Sequence, residues 1–237
     1  MQAPAERKSR RQPALDDGIN ADGLDKLTFD EILEMFRDKQ GALQLQKAFK
    51  KTDTAFLLKC LAAIAHDFEQ IAKDKHGNYV LAAMVKATAQ TGLGLSWFIR
   101  KAAGNLDSLA KHCVGCRIIQ RLYENCIPDM MNPISKKLLG MFDDLVNSKY
   151  GKHVIQCLTQ LQPYKQIVEV LLAKKLNAYL LSRNACLVVE YAIDGSSPWF
   201  AKMVSQECAQ IPLRCARYVR RKVINTLTHN TWRKAFV

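Results

Sequence analysis

Apolar residues recur at helical spacing along the chain, always in the same phase relative to a small residue. That residue falls at Gly41, Gly77, Gly115, Gly151, Ala185 and Ala216, with intervals of 36, 38, 36, 34 and 31 residues. Three and four positions after it comes an apolar pair: Val80-Leu81, Ile118-Ile119, Val154-Ile155 and Val188-Val189. One turn later follows another apolar position, at Met84, Leu122, Leu158, Ala192 and Val223. This is a helix with one buried face, repeated. The first copy departs with Gln44 and the last with Arg220, as terminal repeats do where one side lacks a neighbour.

Further amphipathic segments separate the copies, among them 55–72 and 164–181. Breakers punctuate them at Gly92, Gly94, Pro128, Pro133, Pro163 and Ser196-Ser197-Pro198. Sustained strand-like alternation is absent. Two or three short helices per repeat cannot bury their faces alone, but stacked side by side they can. The expected fold is therefore all-α: a curved right-handed solenoid of about six three-helix repeats over 24–237. Residues 1–23 are polar and Gly-punctuated and read as a disordered basic leader. Its RKSRR run at 7–11 is weak evidence of a nuclear-import patch, and an ordinary solvated tail is the simpler reading.

Charge changes the picture. The 237 residues carry a formal net charge of +13, which favours a polyanionic partner, since Lys and Arg gain by releasing counterions condensed on phosphate. Two positions before the small residue stands a cation in five copies: Lys39, Lys75, Lys149, Arg183 and Arg214; the third has Cys113. Such phasing draws a stripe along one surface. No apolar run reaches the roughly 20 residues that span a bilayer, and no membrane partner is expected. Eight cysteines without a secretory signal point to reduced thiols. His112, Cys113 and Cys116 lack the further ligands that a zinc site needs. Walker, Gly-x-Ser-x-Gly and His-Glu-x-x-His patterns are all missing, so neither an enzyme nor a cofactor is expected.

The first, second and fifth residues after the pivot are the variable polar ones. The first and fifth share a helix face, and the second lies about 100° around from the first. In the segment 111–126 this trio is Cys116, Arg117 and Gln120.

GCRIIQRLYENC, YGKHVIQC and ACLVVEYAI resemble repeats of the Pumilio (PUF) family. The likeness covers roughly 24–237 and is strongest over 111–195. It implies a concave face that binds single-stranded RNA, one base per repeat. Cys116, Arg117 and Gln120 then match an adenine reader, with Arg117 as the stacking residue. Cys186 and Glu190 resemble a guanine reader, because a carboxylate accepts from both N1–H and N2–H; Leu187 replaces the usual polar stacker. Lys152, His153 and Gln156 keep the amide and the aromatic stacker but leave base choice open. Asn78 and Tyr79 look like part of a uracil reader whose Gln is replaced by Ala82. Arg217, Tyr218 and Arg221 suit phosphate or any base. Ala42, Leu43 and Gln46 retain little.

The family's antiparallel binding implies that the sixth to third repeats read any base, G, any base, A, compatible with a UGUA core. Regulation of mRNA translation or stability in the cytoplasm follows, with regulatory protein partners on the convex face. The alternatives are a low-specificity ribosomal-RNA-binding assembly factor, nuclear or nucleolar, and a helical protein-binding scaffold.

Overall fold

The computed structural model describes residues 26–51 and 53–211, together with Gly23 and Val219. Fifteen α-helices follow one another, and no strand occurs among the described residues. The first pair is α1 (Phe29–Arg37) and α2 (Lys39–Ala48). Four three-helix units come next. They are α3 (Thr54–Ala63), α4 (Phe68–Lys73) and α5 (Gly77–Thr91); α6 (Leu95–Gly104), α7 (Leu106–Ala110) and α8 (Cys116–Asn125); α9 (Asn132–Gly140), α10 (Phe142–Asn147) and α11 (Gly151–Leu158); and α12 (Tyr164–Lys174), α13 (Leu176–Leu181) and α14 (Ala185–Ala192). Helix α15 (Pro198–Gln210) opens a further unit. The sixth pivot and its trio, Arg217, Tyr218 and Arg221, lie outside the described residues, as do Arg214 and the leader.

The third helices form one continuous row, α2 against α5, α5 against α8, α8 against α11 and α11 against α14. The other helices make the outer layers, where α4 meets α7 and α6 meets α9. Between the layers runs a single apolar core, whose largest fully buried side chains include Phe36, Phe56, Phe68, Phe98 and Phe200. The pairs at 80–81, 118–119, 154–155 and 188–189 are all buried, as are Met84, Leu122, Leu158 and Ala192. An α-solenoid follows directly: each unit's apolar face closes only against its neighbour.

Segments that read as single amphipathic stretches are broken. The 55–72 stretch stops at Ala63 and resumes at Phe68; the 164–181 stretch breaks at Lys175. At the first break the freed Ala65 carbonyl accepts from Lys101 Nζ at 2.5 Å, a lysine 36 residues away in the next unit. Lys137 Nζ does the same for the Ala103 carbonyl at 2.9 Å. Terminal carbonyls that lack an intrahelical partner are thus satisfied from the neighbouring unit.

The pivot glycines are small because of a close approach. A Cβ on Gly41 would stand 2.6 Å from Met35 Cα and 2.8 Å from Met35 O; on Gly77 it would meet Ile71 O at 2.9 Å, and on Gly151 Leu145 O at 2.9 Å. In each case the opposing residue lies six positions earlier, on the preceding helix. Gly115 is looser, with Leu109 Cδ2 at 3.0 Å and Leu109 Cα at 3.3 Å.

Two measurements check this architecture. Gly41→Ala, which presses on backbone, is expected to destabilise by about 1–3 kcal/mol, the usual cost of overpacking. Gly115→Ala presses mainly on a side chain that can move, and regains the roughly 0.5–1 kcal/mol that glycine costs in a helix; its urea midpoint should stay within error of wild type. The second concerns acid. The Asp38 carboxyl is held below its ordinary 3.8 by the Gly41 N–H. Glu69 is held below 4.5 by Lys73 and Ser108, and Asp143 below 3.8 by Lys175 and Tyr179. Native values depressed below unfolded ones stabilise the fold above pH 4.5, and that contribution is lost as pH falls through them. The urea midpoint should decline progressively as pH falls from about 5 through the carboxylate range; a midpoint that rises on acidification contradicts the assignment.

Candidate nucleic-acid interface

Each helix of the inner row is fixed at its start by an acceptor three residues before the pivot. Asp38 Oδ2 accepts from Gly41 N at 2.8 Å, and Asp74 Oδ1 from His76 N at 2.7 Å and Gly77 N at 2.8 Å. His112 Nδ1 accepts from Val114 N at 3.2 Å and Gly115 N at 3.1 Å. Ser148 Oγ takes Tyr150 N at 3.4 Å and Gly151 N at 3.1 Å, and Ser182 Oγ takes Ala185 N at 3.3 Å. Five different units use the same position for the same purpose, satisfying N–H groups at the mouth of the helix. Sequence reasoning passed over these residues. The signal is Asp, Asp, His, Ser and Ser in phase, and His112 beside Cys113 and Cys116 masks it by resembling a metal ligand. An imidazole that accepts through Nδ1 carries its proton on Nε2.

With the helix starts fixed, the trios line up along the row. In the third unit Cys116 is buried, Gln120 half-buried and Arg117 exposed. Gln120 Nε2 donates to Cys116 O at 3.2 Å and to Cys116 Sγ at 3.6 Å, leaving Oε1 without a partner among the described residues. Burial pushes the Cys116 thiol up, so it remains neutral beside the amide. Arg117 Nη1 donates to Tyr79 Oη at 3.1 Å, and its guanidinium lies 6.0 Å from the Tyr79 ring centroid. Two flat groups from adjacent units are therefore already juxtaposed on the inner face.

In the fifth unit Cys186, Leu187 and Glu190 are all half-buried. Burial, and then the charge of Glu190, raises the Cys186 thiol. The Glu190 carboxylate receives no hydrogen bond from the described residues and is open to an incoming donor.

The fourth unit differs. Gln156 Nε2 donates to Leu187 O at 3.2 Å, while Gln156 Oε1 is 3.1 Å from His153 Nδ1. Lys152 Nζ donates to Asn184 Oδ1 at 3.1 Å, and Asn184 Nδ2 in turn donates to Asn147 O at 2.9 Å. Both polar ends of this trio are half-buried and engaged by the next unit, and the His153 ring is exposed.

The second unit corrects an expectation. Asn78 is 5% exposed, and its Nδ2 donates inward to Asp74 O at 2.8 Å and Lys75 O at 3.1 Å. The carbonyls left over at the turn before α5 draw the amide in, so Asn78 presents no base-reading edge. Tyr79, at 51% exposure, does project from the surface. In the first unit Ala42 is buried, Leu43 is exposed, and Gln46 Nε2 folds back onto Ala42 O at 3.0 Å, as Gln120 does onto Cys116. Lys39, Lys75, Lys149 and Arg183 are all exposed, as is Cys113 in the third unit.

The profile of the Pumilio-family RNA binding repeat matches residues 67–81 and 105–139, the turns into α5 and α8 among them. A curated relative, suppressor protein MPT5 of Saccharomyces cerevisiae, is 22% identical over 165 residues, covering 67% of this chain and 19% of the relative. Among solved structures, PUF-8 in complex with PBE-RNA superimposes with a TM-score of 0.72 at 19% identity, covering 84% of this chain and 62% of that one. The Puf3 RNA binding domain bound to a Cox17 RNA 3′ UTR recognition sequence gives 0.67 at 15% identity, with 87% and 68% covered. The RNA-binding domain of yeast Puf5p bound to MFA2 RNA gives 0.65 at 17%, with 79% and 53% covered. The chain thus spans about a fifth of the curated relative's length.

Removal of the His112 acceptor is the direct test of how the third trio is held. His112→Ala should cost about 1 kcal/mol of stability, as loss of a cap does, and His112→Asn should restore most of it. Urea unfolding of both variants measures this; equal losses would mean that the ring only fills space.

Proposed function

We propose that this chain is a divergent Pumilio-type repeat protein, a reading supported by the matching repeats and the superimposed RNA-binding domains, and that it binds single-stranded RNA along the inner row and regulates mRNA translation or stability through a UGUA-like element. The observation that carries this reading is that Gln120, with its Oε1 unspent and its Nε2 held only by its own helix, and the Glu190 carboxylate, which receives no hydrogen bond from the described residues, stand on the same row of helices, two units apart. Gln120 offers a donor and an acceptor to the edge of adenine. Glu190 offers only acceptors, which suits the adjacent N1–H and N2–H of guanine. The known RNA complexes of PUF-8, Puf3 and Puf5p support the choice of ligand class. Regulation would act through proteins recruited on the convex face, in the cytoplasm.

A second reading is favoured by the +13 charge and the closed fourth trio: a low-specificity factor on ribosomal RNA, in the nucleus or nucleolus. Salt separates the two, because phosphate-driven binding weakens steeply with salt for every sequence.

The test is binding of RNAs that differ at one base. Replacing the adenine opposite Gln120 should cost about 1–3 kcal/mol, the range for a bidentate base contact. Glu190→Gln should weaken binding to the guanine-containing RNA and favour adenine at that place, since Cys186 with Gln would duplicate Cys116 with Gln120. A uniform gain for every RNA, with base preference unchanged, would mean that Glu190 reads nothing and would promote the ribosomal alternative.

A further inference from the structure

The trios occupy only the first turn and a half of each inner helix. Two further positions share the stacker's face, four and seven residues beyond it, because 400° and 700° of rotation leave them within about 40° of its line. In chain order these positions hold Lys47 and Lys50, then Ala83 and Lys86, then Arg121 and Glu124, then Cys157 and Gln160, and last Tyr191 and Asp194; Lys50, Gln160 and Asp194 fall two residues past the ends of α2, α11 and α14, where the chain turns. Lys47, Lys50 and Lys86 are exposed and belong to no ion pair among the described residues. Arg121, by contrast, is paired with Glu124 at 2.5 Å. Asp194 is exposed at the other end of the described row. Among the described residues, free positive charge on this second line is therefore confined to the first two units.

Those same two units lack a reading edge. Asn78 is turned inward, Ala82 replaces an amide, and Gln46 has the buried, apolar Ala42 where the third unit pairs Gln120 with a cysteine. What they present instead is flat and apolar: Tyr79 at 51% exposure, Leu43 at 45%, and the half-buried Ala82 and Ala83. A stacking shelf with Lys47 one turn further along α2 and Lys86 two turns further along α5, about 6 and 10 Å away at 1.5 Å per residue, and with Lys50 in the 3₁₀ turn that follows α2, suits a nucleotide of any base: ring on the shelf, phosphate on the ammonium groups.

The geometry points to a sequence-indifferent RNA anchor on α2, the 3₁₀ turn that follows it and α5, formed by Leu43 and Tyr79 with Lys47, Lys50 and Lys86, and adjoining the third unit's trio through the Arg117–Tyr79 contact. It rests on the proposed RNA-binding reading and deepens it. The strand is held by stacking and charge at one end and read at the other, so a short core RNA uses only part of the available affinity.

The experiment compares the wild-type chain with Lys47→Ala/Lys86→Ala on three RNAs: a core carrying the UGUA element, the core with four extra uridines at its 5′ end, and the core with four at its 3′ end. An oligo-cytidine version of each extension controls for base identity. One extension only should tighten wild-type binding, equally for uridine and cytidine, and the double variant should lose that gain. Two phosphate contacts on a single strand change the salt slope by about 1.4, so the wild-type advantage on the favoured RNA should shrink about sevenfold between 50 and 200 mM salt. Lys47→Arg/Lys86→Arg should keep the gain. Lys136→Ala/Lys174→Ala, which removes the same charge from exposed outer-layer positions, should leave it intact. Equal gains at both ends, no gain at either end, or a gain that survives Lys47→Ala/Lys86→Ala overturns the anchor. Base discrimination within the core is measured separately: its loss alongside a lysine-dependent gain sinks the reading trios and leaves the anchor standing, while its presence without the gain does the reverse.

Discussion

The close approach between a pivot glycine and the residue six positions before it governs this molecule. Where that contact is tight, at Gly41, Gly77 and Gly151, a Cβ would lie within 3 Å of backbone atoms of the preceding short helix. Two helices can meet so near their ends only if the turn between them is held shut. The acceptor three residues before the pivot does this, by taking up the N–H groups that the turn exposes. Contact and cap together fix where each inner helix starts. From that point 3.6 residues per turn determine where its first, second and fifth side chains emerge. Spacing between successive trios is then set by helix packing, at about 8–10 Å, and not by loop conformation.

Nearest-neighbour contacts carry the rest. Lysines from one unit close the helix ends of the unit before, as Lys101 does at Ala65 and Lys137 at Ala103. The Asp143 carboxylate ties Lys175 and Tyr179 of the following unit. Glu169, 1% exposed, accepts from Ser197 N at 3.2 Å and from its hydroxyl, anchoring the start of α15. Among the described residues no such tie reaches beyond an adjacent unit, so substitutions in one unit can tune its surface without altering the curve of the whole.

What the sequence revealed and what it hid divide along the same line. The pivots, the apolar pairs and the position one turn later repeat at a fixed phase, and all those described are buried as their period requires. Properties that depend on a partner some 30 residues away left no local trace. Nothing near Ala65 announces that Lys101 will take its carbonyl and let the helix break. Nothing in GKHVIQ announces that Gln156 will spend its amide on Leu187. Asn78 lay closer to legibility, since carbonyls at 74 and 75 stand three and four residues before it, the range in which Asn competes for backbone. The caps were visible as Asp, His and Ser in phase, and were obscured only because three side-chain chemistries serve one role.

The closed fourth trio completes the logic of the face. Its hydrogen bonds to Leu187 O and Asn184 bridge α11 and α14 at the level where bases would lie. A trio satisfied by its neighbour must give up those bonds before it can read, so a base there gains only what exceeds their loss. The same bonds hold the Glu190 helix in register with the helix before it, and through the packing of α11 on α8 with Gln120. The fourth unit thus acts as a rigid spacer with one exposed ring, His153. On the proposed reading it would surrender discrimination at its own position and keep the Gln120 and Glu190 helices a constant distance apart. An RNA would then have to match that distance as well as the two bases, and a strand that inserts or omits a nucleotide between them would meet the mismatch directly.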